Sequence, residues 1–312
     1  MLPRTPPRVG QNGFLYVPPY RIQGISIAGE QTVVQIPELS LAFDIGLCPR
    51  IALASDFVAL SHGHMDHVAG LPYYFSQRMF QKMVVGTCVC HEDLAPALLN
   101  MMDAWVNVEQ QHTKHKVVGL APGDQFEIKN NIMLRALPAD HTVPALSYAV
   151  IEYRSKLREE YCDLPQDQLR DLKKSGKPIT QVFEIPLIAY SGDTQLGPSL
   201  YSPEFTEAKI VVSECTFFDQ DHRSRATSGK HLHVADIVGL LDVWKAEAVI
   251  LIHTSRRMDL ERSREKLLTL IGPERASRVH FLMDHRRNRA RYECQQAALD
   301  SKQAPPRDHD SI

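Results

Sequence analysis

Short runs of apolar and β-branched residues alternate with stretches of helical period along most of the chain. Residues 22–34, punctuated by Gly24 and Gly29, read as a first hairpin, and 39–43 as the next strand. Further strands are predicted at 56–60, 84–88, on either side of the Pro122-Gly123-Asp124 turn, and at 133–137, 147–153, 185–190, 208–213, 248–252 and 279–283. Helices are predicted at 68–82, 91–106, 166–174, 231–244 and 260–270, with Trp105 and the Met101-Met102 pair assigned to the core. Seven basic and seven acidic residues fall between Glu152 and Glu184, so 154–185 is expected to be a compact charged insertion. Regular alternation without a linker predicts one α/β domain over 21–295. Residues 1–20 are expected to form an N-terminal arm. Residues 296–312, with Pro305-Pro306 and no apolar period, are expected to be disordered.

Composition changes this picture little. The hydrophobic fraction of 44% and charged fraction of 23% are ordinary for a globular protein. A net charge of -2 excludes a uniformly basic nucleic-acid module and leaves room for local basic patches. No apolar run approaches the roughly 18 residues a membrane span needs. Residues 1–12 lack the apolar segment of a secretory signal. The six cysteines are dispersed, which predicts reduced thiols and a cytoplasmic setting. Cys88 and Cys90 lie in an apolar alternation and read as ordinary strand thiols.

The candidate chemistry begins at Ser61-His62-Gly63-His64-Met65-Asp66-His67, directly after the apolar run Phe57-Val58-Ala59-Leu60. Imidazoles and a carboxylate delivered to one point suit zinc or a similar divalent ion. That stretch alone cannot close two metal sites. Four later predicted strands also end in a donor or acid, at His141, Asp193, Glu214 and His253. Side chains at strand ends converge on one edge of a sheet, which is how such folds build sites. Asp44, at a strand end beside Gly46, is placed to brace a neighbouring loop.

The motifs, in this order, resemble the metallo-β-lactamase superfamily and, within it, the ribonuclease Z branch. The resemblance rests on Ser61 to Leu71, Ala139-Asp140-His141-Thr142-Val143-Pro144, Tyr190-Ser191-Gly192-Asp193-Thr194, Ser213-Glu214-Cys215-Thr216-Phe217 and Leu251-Ile252-His253-Thr254-Ser255-Arg256-Arg257. It implies a four-layer αβ/βα sandwich, two facing mixed sheets with outer helices. It also implies two divalent ions, zinc first, with manganese and iron(II) as alternatives. His62, His64 and His141 would hold one ion, and Asp66, His67 and His253 the other, with Asp193 bridging. Such a pair activates water and clamps a phosphoryl group, and Asp66 would orient that water or take its proton. Glu214 and His231 would form the general acid for a departing 3′-oxygen, with His233 competing for the role of His231. Arg256 or Arg257 would meet a phosphate oxygen.

The implied activity is a zinc-dependent phosphodiester hydrolase, with precursor tRNA as the specific substrate expectation. A hydrolase of small phosphodiesters, esters, lactones or thioesters is the alternative, followed by a non-enzymatic metal- or RNA-binding protein. A second copy of the chain is a candidate partner, and a membrane is not. The chain departs from the branch pattern at Asp44-Ile45-Gly46-Leu47-Cys48-Pro49, where D-x-G-E-G-T is usual. An N-terminal glycine-rich signature is absent. The 154–185 interval lacks the glycine-proline character of the tRNA-gripping arm. The basic run from Arg286 to Arg291 reads equally as an RNA contact and as a solvated helix face.

Overall fold

The computed structural model describes residues 12–301. Its strands form two sheets, each built in chain order. The first contains β1 (Gly13–Val17), β2 (Tyr20–Ile27), β3 (Gln31–Ile36), β4 (Leu41–Phe43), β5 (Phe57–Ala59), β6 (Thr87–His91) and β7 (Lys116–Leu120). The second contains β8 (Gln125–Lys129), β9 (Ile132–Pro138), β10 (Leu146–Leu157), β11 (Thr180–Tyr190), β12 (Ile210–Glu214), β13 (Ala248–Ile252) and β14 (Val279–Phe281). In both sheets the first four strands pair antiparallel and the remaining three add on parallel. Parallel neighbours need crossovers, and those crossovers bring the helices.

The helices are α1 (Met65–Val68), α2 (Leu71–Phe80), α3 (Ala95–Glu109), α4 (Gln166–Lys174), α5 (Pro203–Thr206), α6 (Arg223–Gly229), α7 (Val234–Leu240), α8 (Leu260–Ala276) and α9 (His285–Asp300). Leu71 and Phe75 of α2 and Leu98 and Met102 of α3 cover the first sheet, packing on Val58 and Cys88. Phe205 of α5, Ile237 of α7 and Leu267 of α8 cover the second, packing on Val211 and Val249. Between the sheets lies an apolar layer that includes Val34, Phe43, Tyr148, Tyr190 and Ile250. Phe43 and Tyr190 stack across it with centroids 4.4 Å apart and planes 9° from parallel. The four layers expected from the resemblance are present.

Several expectations are corrected. Within the arm expected at 1–20, β1 is a buried strand and Tyr20 begins β2, while residues 1–11 lie outside the described residues. Both faces of β1 are covered, since Leu15 and Val17 join the central layer while Phe14 and Tyr16 pack on Tyr292 of α9. The helix α9 was missed in sequence and extends to Asp300, into the segment expected to be disordered from 296. Its buried residues are only Asn288, Tyr292 and Ala298, too few to write a helical stripe through a charged sequence. Residues 302–312, the remainder of that expected tail, lie outside the described residues.

The 154–185 interval is an extended hairpin rather than a compact insertion. β10 and β11 continue to pair out to Leu157↔Thr180, with α4 near the tip. Both faces are largely exposed there, so no hydrophobic alternation marks the strands. Met102 is buried as expected, but Trp105 is 44% exposed on the outer face of α3. His91 ends a strand rather than starting a helix, and the helix predicted from 231 begins at Val234.

Candidate metal centre

The side chains predicted from strand ends do converge. β5 runs into the loop holding His62 and His64, and one turn of α1 then presents Asp66 and His67. His141 lies on the β9–β10 connection, and Asp193, Glu214 and His253 stand at the C-terminal ends of β11, β12 and β13. His64 Nδ1 lies 3.0 Å from His62 Nε2 and 3.2 Å from His141 Nε2. On the other side, Asp66 Oδ2 lies 3.6 Å from His67 Nε2 and 3.4 Å from His253 Nε2. Asp193 Oδ2 sits between the two groups, 3.8 Å from His62 Nε2, 3.4 Å from His67 Nε2 and 3.3 Å from His253 Nε2. The donor atoms of His62, His64 and His141, and of Asp66, His67 and His253, each lie within 4.8 Å of one another.

Hydrogen bonds behind the imidazoles set their tautomers. His67 Nδ1 donates to Asp44 Oδ2 at 2.8 Å. Ser61 Oγ donates to the same carboxylate at 2.9 Å, so it accepts from His62 Nδ1 at 3.0 Å. His141 Nδ1 donates to the Lys230 carbonyl at 3.2 Å. Thr216 Oγ1 donates to Glu214 Oε2 at 2.6 Å and therefore accepts from His253 Nδ1 at 2.8 Å. In each of these four rings the Nε2 lone pair is left facing the cluster, as a ligand requires.

The donor set fits divalent ions. His67 Nε2 and Asp193 Oδ1 are buried without a hydrogen-bond partner, a costly state unless another group meets them. Burial drives His62 well below the ordinary histidine range, and lowers His64 and His141 too. At His67 burial also lowers, but Asp193 and Asp44 on either side raise it well above that range. The pocket between those carboxylates calls for a positive charge. Burial raises Asp193, yet His253 and His67 outweigh it and hold the carboxyl well below its usual range. Three nitrogens on one side, a mixed N/O set on the other and a shared carboxylate suit zinc-like ions.

Beside this cluster, Glu214 is fully buried. Its Oε1 accepts from the Thr194 backbone at 2.8 Å and from His231 Nδ1 at 3.0 Å. Burial lowers the His231 imidazole, but the Glu214 carboxylate offsets that by charge and hydrogen bond and pushes it up to about 9. With Nδ1 committed, Nε2 is the atom of His231 left to meet a ligand. The competing His233 is used up structurally. Its Nδ1 accepts from the Ala235 backbone at 3.1 Å, capping α7, and its Nε2 donates to the Asp219 carbonyl at 3.1 Å.

Arg256 does not point its fork into the cluster; both nitrogens pair with Glu30. Arg257 is exposed in the turn after His253. Sequence reasoning anticipated Asp44 only as a loop brace and missed Ser61, Thr216, Lys230 and Tyr190, whose roles depend on partners distant in sequence. A local clue existed at Gly192, whose φ is +58°. A Cβ there would stand 2.7 Å from the Ser61 side chain, so only glycine lets the Asp193 loop approach the histidine loop.

Comparison with known proteins agrees with this architecture. The profile of the Beta-lactamase superfamily domain matches residues 48–254. The chain is 32% identical over 257 residues to "tRNase Z TRZ1" of Arabidopsis thaliana, covering 81% of this chain and 92% of that protein. It is 31% identical over 256 residues to "tRNase Z TRZ2, chloroplastic" of the same plant, covering 80% and 72%. The metallo-beta-lactamase fold protein YhfI of Bacillus subtilis superposes with a TM-score of 0.55 at 16% identity, covering 87% of this chain and 97% of that one, which speaks to the fold alone. With the superfamily profile matched over more than half its length and a relative above 30% identity covered almost end to end, this chain belongs to the β-lactamase superfamily and, within it, to the tRNase Z family.

Proposed function

We propose that the protein is a two-zinc phosphodiesterase that cuts RNA, with the 3′ trailer of precursor tRNA as substrate. The observation that carries this reading is the Glu214–His231 pair, held at 3.0 Å beside the two donor clusters joined by Asp193. Hydrolysis of a carboxylic ester or lactone makes less demand on a strong proton donor, whereas a departing ribose 3′-oxygen is a poor leaving group and needs one. Relatives bearing the name tRNase Z support the same substrate class.

His62, His64 and His141 would hold one ion, Asp66, His67 and His253 the other, and Asp193 both. Divalent ions bound there supply Lewis acidity and a water that ionises near neutral pH. The chain's own residues do the rest. Asp66 Oδ2, which faces His67 and His253, also accepts from the Gly29 backbone N–H at 2.9 Å, so the carboxylate is held in place and would orient the attacking water. His231 Nε2 delivers a proton to the 3′-oxygen as its bond to phosphorus breaks, and Glu214 steadies the imidazolium beforehand. Arg257, exposed beyond His253, would be the arginine to receive a substrate phosphate, since Arg256 is paired with Glu30. Six free thiols, four of them buried, favour a reducing compartment such as the cytoplasm. No helix among the described residues is long and apolar enough to cross a membrane.

The deciding experiment incubates zinc-loaded protein with precursor tRNA carrying a 3′ trailer, beside bis(p-nitrophenyl) phosphate and a lactone panel. The expected result is one cut that leaves a 3′-hydroxyl on the tRNA body. Turnover confined to the lactones or small esters would overturn the RNA reading.

A further inference from the structure

The end of the β2–β3 hairpin, residues 26–30, meets the donor cluster at one residue after another. The Ser26 hydroxyl oxygen accepts the His253 backbone N–H at 2.8 Å. Ile27 forms a parallel bridge with Thr254, and the Ala28 N–H donates to the Thr254 carbonyl at 3.1 Å. The Gly29 N–H donates to Asp66 Oδ2 at 2.9 Å. Glu30 then takes the Arg256 fork, with Nε donating to Oε1 at 2.6 Å and Nη2 donating to Oε2. The hairpin belongs to the first sheet, whereas His253 and Arg256 follow β13 of the second. It therefore touches two of the three donors proposed for the second ion, and joins the sheets where it does so.

Backbone conformation gives these contacts something to hold. Gly29 has φ +71°, and a Cβ there would meet nothing within 4 Å, so glycine serves the hand of the turn rather than a lack of space. His253 has φ +55°, an uncommon backbone conformation for a residue with a side chain. Ser26, Ala28 and Gly29 hold their partners through main-chain groups. Glu30 and Arg256 are the side-chain link, and it is exposed, with 41% and 68% of the two side chains accessible. An ion pair at such exposure contributes little to stability, yet a bidentate arginine–carboxylate pair fixes geometry.

We infer that the Glu30–Arg256 pair is a positioning clasp, which seats the Gly29 turn against Asp66 and His253 and so completes the second ion's site. The inference rests on the two-ion reading of the metal centre. It gives Arg256 a task other than meeting a substrate phosphate. Among the described residues, no hydrogen bond joins 26–30 to His62, His64 or His141, so the clasp acts on one ion and spares the other.

The test reads zinc content rather than turnover. Zinc-loaded wild type, Glu30→Gln, Arg256→Gln and the exchanged Glu30→Arg/Arg256→Glu protein are each titrated with a competing chromophoric chelator. Groups bonded directly to a ligand side chain are worth about 10–100-fold in metal affinity, and this pair acts one residue further out. Each single variant should therefore hold one zinc equivalent about 3–10-fold less tightly and the other as wild type does. The exchanged pair should recover most of that loss. Urea midpoints of the EDTA-treated proteins should match wild type, because the pair is exposed. Wild-type affinity for both equivalents in the two single variants would overturn the clasp. So would equal weakening of both equivalents, a loss that the exchange leaves unrepaired, or urea midpoints that fall in step with zinc affinity. Wild type that binds fewer than two zinc ions would overturn the two-ion reading, and the clasp with it.

Discussion

Asp44 Oδ2 accepts a hydrogen bond from His67 Nδ1 at 2.8 Å, and neither side chain has any exposed surface. The same oxygen receives the Tyr190 hydroxyl from the opposite sheet at 2.5 Å, while Oδ1 takes the Ser61 backbone N–H at 2.6 Å. One carboxylate therefore orients a candidate ligand ring, fixes the start of the histidine loop and ties the two sheets together. Groups that hold a ligand from behind are worth about 10–100-fold in metal affinity. Asp44→Ala is expected to weaken zinc binding by that factor in a competitive chelator titration. An unchanged affinity would show that packing alone aims His67.

Tyr190→Phe removes one donor from Asp44 and leaves the others. A buried acceptor losing one of several partners costs about 1–3 kcal/mol. Urea denaturation should show that loss, with zinc stoichiometry preserved. Loss of zinc with no loss of stability would contradict this division of labour.

His231→Ala should separate substrates by their leaving groups. Positioned acids contribute about 10²–10⁴-fold when the departing oxygen is basic. RNA cleavage should fall by that range, while bis(p-nitrophenyl) phosphate, whose aryloxide leaves unaided, should change little. Equal losses on both substrates would remove His231 from the proton-donor role. His233→Ala should instead cost about 1 kcal/mol of stability by removing a helix cap and spare the chemistry.

Chelation should be visible in thermal unfolding. A ligand at 100 times its Kd stabilises the native state by about 2.7 kcal/mol. EDTA is expected to lower the Tm by roughly 5 °C or more, with zinc restoring it. Identical melts with and without zinc would argue that the clustered donors hold no ion.

Thiol reactivity should follow burial. Cys162 and Cys294 are exposed, whereas Cys48, Cys88, Cys90 and Cys215 are buried. Burial pushes the Cys48 thiol up to about 12, so almost no thiolate exists near neutrality. An aromatic disulfide reagent should label two cysteines quickly in native protein and the other four only after denaturation. Rapid labelling of Cys48 would indicate that the loop after β4 opens readily.

The candidate metal donors were legible in sequence because they fall in the H-x-H-x-D-H stretch after one apolar strand or near the ends of later ones, and the family resemblance then grouped them. The choice between His231 and His233 was not. It turns on which ring meets Glu214 and which caps α7, and the two histidines stand only two residues apart. The outer hairpin and α9 were obscured for another reason. Solvent on both faces of the β10–β11 extension, and only three buried residues in α9, leave no periodic signal to read. Trp105 misled in the opposite direction, a large apolar residue on an exposed helix face.

The repeated plan of the two sheets has a consequence for how the protein comes into being. Each sheet can pair its strands largely with neighbours in the chain, so each half can assemble from comparatively local pairings. The centre cannot. The hydrogen bond between Tyr190 and Asp44 spans 146 residues, and the close approach of His253 Nε2 to Asp66 Oδ2 spans 187. During synthesis the histidine loop leaves the ribosome long before Asp193 and His253 exist. A nascent chain offers only part of the donor cluster early, and the cluster is complete only when the late strands dock. On the proposed metal-binding reading, tight binding of metal would mark the moment at which the two halves have joined.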